Sequence, residues 1–532
     1  MTETELKLQV PATARSALIR AMRRAVVERT RLRAVYVDTA DRRLAGAGIA
    51  LRMRQEGRRW VQTVKAQGDA LLERLEHEVV VSAPAPGGIA PALRGAALAP
   101  AIDPQRHAGT PVGLRLAAAL AVPPGEPAPE LVAIYRTDVV RLHRRLRDAA
   151  GTVELALDIG CLEAGGQREP LCELEIELLR GRPWALTAVA ARWAARHGLW
   201  LDARSKAERG ERLARGWPAL PPARAAAVPA FAPVADASSA LRRLVAVCLV
   251  PVLGNAGEIT GGRGTPEHLH QLRVGLRRLR ALLRLYRGWV ADIDPGWEPA
   301  LAEVFRALGA RRDRDALALV LLPARQAAGA PLIAWPEGDA PDADEGSPAT
   351  VLRGPSVTRL MLSLLGFSLG APGTPAPAPA SGIRPAAPTA PTAAPAPEPA
   401  RRSDRELPER IRRRLARWHR QAMRDARRFE ALDEPARHRL RKRIKRLRYA
   451  AELSAPWLPR KPLARYLAAL APAQSALGEL TDLLAARDAF RRAGSDEPGA
   501  WFALGWLSAR AEEQARRCAA PLRAMRRQPP PW

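Results

Sequence analysis

Two carboxylates and one ammonium alternate along the first residues of the chain, at Glu3, Glu5 and Lys7. In an extended strand alternate side chains point to the same face, so these three charges share one surface, while Thr4 and Leu6 take the other. A buried pair of carboxylates is unfavourable unless a cation lies between them. The surface is therefore either the solvated face of a sheet or a site for a divalent metal ion.

The strands predicted further along the first part of the chain alternate in the same way. They are Ala34–Asp38, Ile49–Gln55, Trp60–Ala66, Leu72–Ser82, Leu131–Leu142, Gly151–Gly160 and Leu171–Leu179. Their charges segregate by strand into the cations Arg52, Arg54, Lys65 and Arg141 and the carboxylates Glu76, Glu78, Glu154, Asp158, Glu173 and Glu175. A solvated face would mix in more Ser, Thr and Gln. If the strands close into a small antiparallel barrel, these acids and bases share its interior.

Length and charge limit the class of protein. At 532 residues the chain is too long for one hydrophobic core, so two or three domains are expected. The net charge of +29 and the pI of about 11.3 predict an acidic partner, such as nucleic acid, anionic lipid or phosphate-rich metabolites. Residues 1–216 carry a balance of +9 and residues 217–532 a balance of +20, so the second part is the more cationic.

Cysteines and apolar runs argue against several other classes. The four cysteines lack the close spacing of a zinc site or a disulfide scaffold. No apolar run reaches the ~20 residues of a membrane-spanning helix, because Leu244–Leu253 is short and contains Pro251. The first residues do not have the pattern of a signal peptide. We therefore predict a cytoplasmic protein that does not enter a membrane.

Six short segments, in their order along the chain, resemble the CYTH family of triphosphate tunnel metalloenzymes. They are Glu3-x-Glu5-x-Lys7, Tyr36-Val37-Asp38-Thr39, Leu51-Arg52-Met53-Arg54, Thr63-Val64-Lys65, Glu173-Leu174-Glu175-Ile176-Glu177 and Ser205-Lys206. Three of the six lysines in the chain fall on these motifs. The resemblance covers about residues 1–213 and implies an eight-stranded antiparallel tunnel that holds a linear triphosphate.

The resemblance also implies a role for each matching residue. Phosphate oxygens would be contacted by Lys7, Arg52, Arg54, Lys65, Lys206 and by Arg136 or Arg141, whose faces differ. The ions Mg²⁺ or Mn²⁺ would be held by Glu3, Glu5, Asp158, Glu173 and Glu175. Glu3, Glu5 and Lys7 form the predicted catalytic centre. Hard carboxylate oxygens suit such ions, and the cations would neutralise charge on the transferred phosphoryl group.

Beyond the Pro/Ala-rich linker, which ends at residue 238, the pattern is helical and contains an internal duplication. The first copy of a cationic stripe at helical spacing holds His270, Arg273, Arg277, Arg280 and Arg284. The second copy holds His438, Arg441, Lys445 and Arg448. Like charges at this spacing repel by about 0.2–0.5 kcal/mol per pair, so each stripe needs counter-charges. Acidic side chains of the same domain, solvent or a bound polyanion could supply them.

These helices resemble the CHAD domain, an α-helical module often found behind a CYTH domain. The resemblance covers about residues 236–530 and implies that the nine residues of the two copies contact inorganic polyphosphate. A segment rich in Pro and Ala at about residues 371–403 interrupts the helices, and we predict that it is disordered.

Together these patterns predict an α+β protein. An N-terminal eight-stranded antiparallel β-barrel occupies residues 1–213, a Pro/Ala-rich linker residues 214–238, and an all-α duplicated helical bundle residues 239–530. The predicted function is metal-dependent hydrolysis of inorganic tripolyphosphate in the tunnel, with polyphosphate binding by the helical domain.

Two kinds of alternative stay open. The same tunnel could serve a nucleotide or thiamine triphosphatase or an adenylate cyclase. The chain could instead be a non-catalytic protein that binds polyphosphate or nucleic acid. Nucleic acid is not favoured, because the cationic helices offer few aromatic side chains for base stacking.

Overall fold

The computed structural model describes residues 2–68, 71–81, 100–225, 227–228, 236–309, 346–371, 406–492 and 498–532. These residues form two compact units. The first lies within Met1–Ala225, Ala246–Arg273 and Asp344–Ala371, and the second within Ala226–Val245, Val274–Ala343 and Pro372–Trp532. The predicted disordered insertion lies outside the described residues apart from its first position. The domain boundaries near residues 213 and 239 stay a prediction.

Antiparallel strands form one sheet in the described part of the first unit. They are β1 (Thr2–Gln9), β2 (Glu28–Thr39), β3 (Ile49–Glu56), β4 (Arg59–Gln67), β5 (Glu73–Val81), β6 (Leu131–Asp148), β7 (Gly151–Ala164), β8 (Gln167–Gly181) and β9 (Trp200–Leu201). The order is β5-β4-β3-β2-β6-β7-β8-β1, and β1 pairs with β5, so eight strands close into a ring. The short β9 pairs with the far end of β1. The predicted eight-stranded antiparallel barrel is confirmed.

Five α-helices accompany the barrel strands in the described part of residues 1–216. They are α1 (Arg15–Met22), α2 (Arg43–Gly46), α3 (Pro111–Leu120), α4 (Ala185–His197) and α5 (Lys206–Ala214). Helix α3 begins with a Thr110 cap and a proline at its first position, which is a favourable start. Helix α5 begins with a capping box between Ser205 and Glu208, which fixes the position of Lys206 in the first turn.

Apolar side chains of the barrel wall point outward, toward covering helices. Val35 of β2 and Leu51 of β3 are completely buried and pack with Val112 and Leu116 of α3. Because alternate residues of a strand point to opposite faces, the charged residues between them point into the lumen. The barrel therefore has a hydrophobic cluster outside the ring, while its inner face carries the charged residues and a smaller apolar cluster, Ala34, Tyr36 and Tyr135, that packs against α5.

The rest of the described chain is helical. Its helices are α6 (Ala237–Thr260), α7 (Pro266–Tyr286), α8 (Trp297–Ala307), α9 (Pro348–Arg353), α10 (Pro355–Ser368), α11 (Leu407–Arg427), α12 (Glu434–Leu453), α13 (Arg460–Arg492), α14 (Pro498–Arg517) and α15 (Ala519–Arg527). In the first unit α10 packs closely on α4, since a Cβ at Gly366 would lie 2.7 Å from Oγ1 of Thr187. The prediction of an all-α region after the barrel in the sequence is confirmed.

Both copies of the cationic stripe lie on helices with one apolar face. The aliphatic side chains of the second unit that face its core are Leu276, Leu279 and Leu283 on α7 and Leu440, Ile444 and Leu447 on α12, all buried. Their spacing of three and four residues places them on one face of each helix. The arginines and lysines between them occupy the other faces.

One described helix, α6, is long and apolar enough to cross a membrane by length and composition alone. Its most apolar window has a mean hydropathy of 1.5, and half of that window is buried inside the protein. A buried core helix meets the same criterion. The sequence pattern underestimated this helix because Pro251 lies within it without ending it.

Candidate active site

Strand register gathers the charged residues on one side of the lumen. On neighbouring strands, Arg141 pairs with Asp158, Asp158 with Glu173, and Lys7 with Glu175. Directly opposed residues of an antiparallel pair have side chains within about 5.5 Å of each other. Residues that are far apart in the chain therefore form one continuous charged surface across β6, β7, β8 and β1.

Three carboxylates of this surface form a compact acidic cluster, Asp158, Glu173 and Glu175. One oxygen of each lies within 4.8 Å of the others, and Asp158 and Glu173 are fully buried. The ammonium of Lys206, at the start of α5, lies 2.7, 2.6 and 2.8 Å from the three carboxylates in that order. Arg141 donates two hydrogen bonds to Asp158, at 2.7 and 2.8 Å, and one to Glu175.

These contacts keep Asp158 and Glu175 ionised. Burial opposes ionisation of Glu175, but Lys206, Arg141 and Lys7 outweigh it and hold the pKa of Glu175 well below its usual value. The pKa of Asp158 is lowered in the same way, with Arg141 and Lys206 opposing its burial. An ionised carboxylate only accepts, so the cluster offers several hard oxygen ligands in a small volume. This donor set fits Mg²⁺ or Mn²⁺.

The acidic residues of β1 form a second group beside this cluster. Lys65 lies 2.6 Å from Glu3 and 3.1 Å from Glu76. Lys7 donates to Glu5 and lies 3.8 Å from Glu175, so it connects the second group with the acidic cluster. The five predicted metal ligands thus lie in one lumen, with Glu3 and Glu5 next to the other three.

The pKa values within the second group diverge. Burial opposes ionisation of Glu5, but Lys7 and Lys65 lower its pKa to about 2. Burial, together with Glu3, raises the pKa of Glu76 to about 8 against the attraction of Lys65. At neutral pH the lumen therefore contains a fully ionised carboxylate and a largely protonated one on facing strands.

The predicted phosphate contacts on β3 line the same lumen. Nη1 of Arg52 donates to the hydroxyl of Tyr36 at 3.1 Å, and Nη2 of Arg54 lies 3.0 Å from Glu78. The charge of Arg52 outweighs burial and lowers the pKa of the Tyr36 hydroxyl. Arg54 and Arg52 likewise outweigh burial and lower the pKa of Glu78 to about 2.

Arg136 and Arg141 lie on opposite faces of β6. Arg141 enters the lumen, where it binds Asp158 and Glu175. Arg136 pairs across the sheet with Val35, whose side chain packs on the outside of the barrel. Residues that are an odd number of positions apart on a strand point to opposite faces. Arg136 and Arg141 are separated in this way, so the side chain of Arg136 lies outside the lumen.

Sequence reasoning missed two residues of the lumen. Arg209, on the same helix as Lys206, is buried and donates to Glu173 at 3.0 Å and to Glu169 at 3.0 Å. Its position three residues after Lys206 places it on the same helical face, which is the signal that could have indicated it. Tyr36 lies in one of the motifs that resemble the CYTH family, but its type gives no signal of a lumen role, since a tyrosine in a strand is usually a packing residue.

Acidic side chains of the second unit neutralise part of the predicted polyphosphate stripe. Arg280 and Arg284 of α7 lie 2.9 and 2.7 Å from Glu298 of α8. Arg448 of α12 lies 2.9 Å from Glu452, and Arg441 lies 3.7 Å from Asp482 of α13. The internal counter-charges that the sequence left as one alternative are therefore present for these four arginines.

The remaining stripe residues have other surroundings. His270 lies on α7 in the first unit, where Arg273 is buried. The guanidinium of Arg277 lies 5.6 Å from the ring centre of Phe305. Lys445 is half-buried on α12, and burial together with Lys442, Arg441 and Lys445 lowers the pKa of His438.

One arginine outside the predicted stripe lies among like charges. Arg446 of α12 stacks on the ring of Trp418, 4.3 Å from its centre. Burial and the charges of Arg284, Arg443 and Arg417 lower the pKa of Arg446 to about 10. Its Nε atom is buried and has no hydrogen-bond partner within the described residues. A bound anion would relieve this repulsion.

Comparison with known proteins assigns both parts of the chain. A family model of the CYTH domain matches residues 1–210, and one of the CHAD domain matches residues 243–491. The CHAD domain of the plant Ricinus communis is 25% identical over 58% of this chain and 98% of its own, with a TM-score of 0.43.

Two further solved structures are similar to part of this chain. A candidate adenylyl cyclase from Hippeastrum, described as having a dominant triphosphatase activity, is 18% identical over 41% of this chain and 98% of its own, with a TM-score of 0.29. A candidate adenylate cyclase from Bacillus halodurans is 18% identical over 39% of this chain and 96% of its own, with a TM-score of 0.25.

Proposed function

The chain belongs to the CYTH and CHAD families, with a CYTH domain at residues 1–210 and a CHAD domain at residues 243–491, and on this basis we propose that its barrel hydrolyses inorganic triphosphate. The reaction depends on a divalent metal ion, Mg²⁺ or Mn²⁺. The observation that carries the proposal is the lining of the lumen, where ionised carboxylates and cationic side chains face each other.

The cations of β3 and β4 bind the phosphate chain. Arg52 and Arg54 alternate on one strand and Lys65 follows on the next, so their charges form a row along the lumen. Guanidinium groups match phosphate oxygens in a bidentate manner, and the ammonium adds a compact point charge. A linear triphosphate has the length and charge to contact all three.

Hydrolysis takes place beside the acidic cluster. A divalent ion held by Asp158, Glu173 and Glu175, with Glu3 and Glu5 beside them as the other two proposed ligands, would supply Lewis-acid stabilisation of the charge on the transferred phosphoryl group. Lys206 orients all three carboxylates, and together with Arg141 it keeps Asp158 and Glu175 ionised. The net reaction consumes one water, breaks one phosphoanhydride bond and releases phosphate and pyrophosphate.

The test measures phosphate release by the full chain from tripolyphosphate, ATP and thiamine triphosphate, with each metal. We expect tripolyphosphate to be preferred and Glu5→Gln to lose at least about 100-fold in rate, because removing a carboxylate from the metal site forfeits several kcal/mol of charge stabilisation. The control is Asp138→Asn, which removes a carboxylate that pairs with Arg31 on the exposed face of the same barrel.

The outcome separates the alternatives. Preference for ATP or thiamine triphosphate would identify another member of the triphosphatase class, and formation of cyclic AMP from ATP would identify a cyclase. If no substrate is turned over with either metal, or if Glu5→Gln retains the wild-type rate, the catalytic proposal is wrong.

For the second unit, we propose that it binds polyphosphate through the arginines of α7, α11 and α12. The support is the position of Arg446, which stacks on Trp418 among Arg284, Arg443 and Arg417 and whose pKa is lowered by burial and by these three charges. A polyanion would replace this repulsion by attraction and release counterions, so binding weakens steeply with salt.

The corresponding test measures binding of medium-chain polyphosphate to the full chain, with single-stranded RNA as competitor. We expect Arg446→Gln to weaken polyphosphate binding about tenfold, the loss of one charge-assisted contact. The control is Arg413→Gln on α11, which removes a solvent-exposed charge paired only with Glu409 in the described residues. Equal loss in both variants, or displacement by RNA at equal phosphate concentration, would contradict a specific polyphosphate site.

A further inference from the structure

A buried network of ion pairs involves the residues that immediately precede helix α5 in the chain. Arg204 donates to Asp202 through Nε at 2.9 Å and Nη2 at 2.6 Å, and to Glu258 of α6 through Nη1 at 2.8 Å. All three side chains are at most 5% exposed. Arg204 immediately precedes Ser205, the cap of α5, so this network holds the chain at the point where the helix with Lys206 begins.

A second branch connects the same glutamate with the acidic cluster. Glu258 lies 3.5 Å from Arg263, which lies 3.7 Å from Glu169 on β8. Glu169 binds Arg209 of α5 at 3.0 Å, and Arg209 also donates to Glu173 at 3.0 Å. The branch therefore runs without interruption from Glu258 to a predicted metal ligand.

Backbone packing at this point is equally close. A Cβ at Gly257 would lie 2.7 Å from Nε of Arg204 and 2.8 Å from Oδ1 of Asp202. Real Cβ atoms do not approach other atoms so closely, so the last turn of α6 can contact this pair only because residue 257 has no side chain. Helix α6 and the segment before α5 are thus fitted to each other.

We propose that Glu258 is a positioning residue for the barrel site. It belongs to the stretch matched by the CHAD family, yet it lies in the same compact unit as the barrel. Through Arg204 it fixes the first turn of α5, which carries Lys206, and through Arg263 and Glu169 it fixes Arg209. The barrel site then depends on a segment of α6 that falls within the match to the CHAD family and not within the match to the CYTH family.

The kinetic consequence of this role rests on the proposed triphosphatase function. Lys206 lies within 2.8 Å of three carboxylates, so a small displacement of α5 disturbs all three contacts at once. Partners that orient ligands of a metal site typically contribute about 10–100-fold in metal affinity or activity. We expect Glu258→Gln, which keeps the shape of the side chain, to lower kcat by a factor in that range with a smaller change in KM.

The structural consequence can be measured without any turnover. The chain has six lysines, so the side-chain resonances of full-length, metal-free protein labelled at the lysine ε-carbon can be resolved, and Lys206→Arg identifies the signal of Lys206. We expect this signal to shift in Glu258→Gln. Gly257→Ala is a second variant, because it displaces Arg204 while leaving every charge in place, and it should shift the same signal.

The matched control is Asn255→Ala. Asn255 is a buried polar residue one turn earlier on α6, and it binds the backbone of Ala223 and Pro251 rather than the network. It should leave the Lys206 signal and kcat unchanged. A Lys206 signal that stays at its wild-type position in both Glu258→Gln and Gly257→Ala would overturn the inference. A shifted signal in a chain that hydrolyses no tripolyphosphate would support the positioning role and refute the proposed reaction alone.

Discussion

Replacing Gly210 by alanine tests how tightly helix α5 is held against the barrel. A Cβ at this position would lie 2.2 Å from Cδ2 and 2.3 Å from Cε2 of Tyr135. Non-bonded carbon atoms need about 3.5 Å, so either α5 or the ring must move by more than about 1 Å. The ring of Tyr135 is itself stacked on Tyr36, 4.4 Å away, so neither side has free space.

Both possible movements disturb the lumen. If α5 moves, Lys206 leaves the acidic cluster, and if the ring moves, Tyr36 and its bond to Arg52 are displaced. Overpacking of this kind destabilises by about 1–3 kcal/mol. A misplacement of about 1 Å in a catalytic group can cost about 100-fold in rate. We therefore expect Gly210→Ala to lower both the melting temperature and the rate of tripolyphosphate hydrolysis.

The assay compares thermal unfolding and phosphate release of the full chain with those of Gly46→Ala. A Cβ at Gly46 meets no atom within 4 Å, so this control adds the same methyl group to a helix of the same unit without overlap. If Gly210→Ala and Gly46→Ala both melt and react like wild type, then α5 is not held closely against Tyr135 and does not fix the position of Lys206.

Two further predictions concern buried charges of the first unit. His107 is fully buried, and its Nε2 atom lies 2.9 Å from Nε2 of Gln62. Burial, together with His77 and Arg106, lowers the pKa of His107 to about 4. In the unfolded chain His107 binds a proton below its usual pKa of about 6.5, whereas in the folded chain it stays neutral until about pH 4. The free energy of unfolding therefore falls by up to about 3 kcal/mol as the pH drops from 6.5 to 4. Chemical denaturation at several pH values should show this loss in wild type and not in His107→Gln, and parallel curves would contradict it. Separately, Arg204→Met should destabilise by about 3–5 kcal/mol, because it leaves the carboxylates of Asp202 and Glu258 buried without their cation; an unchanged melting temperature would show that water reaches them.

The barrel and most of its charged lining were predictable because the pattern is local. Alternate charges on a strand share a face whatever the strand pairs with, so Glu3, Glu5 and Lys7 had to point the same way. The choice between Arg136 and Arg141 was not predictable in this way. It depends on which face of β6 is inward, and that follows from pairing with distant strands.

Contacts between distant segments explain what sequence reasoning missed. Glu298 of α8 pairs with Arg280 and Arg284 of α7, so no periodicity within one helix indicated this counter-charge. Glu452 lies four residues after Arg448 on α12, so a local pattern could have indicated that pair, but not the pairing of Glu452 with Arg278, 174 residues away. The role of Glu258 was hidden for the same reason. A single glutamate on an apolar helix has no periodic signal, and only the fold brings it beside Arg204.

The lumen explains why a barrel with a charged interior can be stable before substrate arrives. Each predicted phosphate-binding cation that faces the lumen lies within 4.0 Å of a carboxylate, and these cations are Lys7, Arg52, Arg54, Lys65, Arg141 and Lys206. An unpaired buried charge would cost several kcal/mol, so the pairing is a condition of folding. In the proposed reaction, triphosphate binding would be an exchange of partners. The ammonium and guanidinium groups would pass from carboxylates to phosphate oxygens, and the freed carboxylates would become available to divalent cations. Tripolyphosphate alone would provide new partners for the cations but would leave the carboxylates without theirs. We therefore expect tripolyphosphate to bind weakly in the absence of a divalent metal ion and more tightly in its presence.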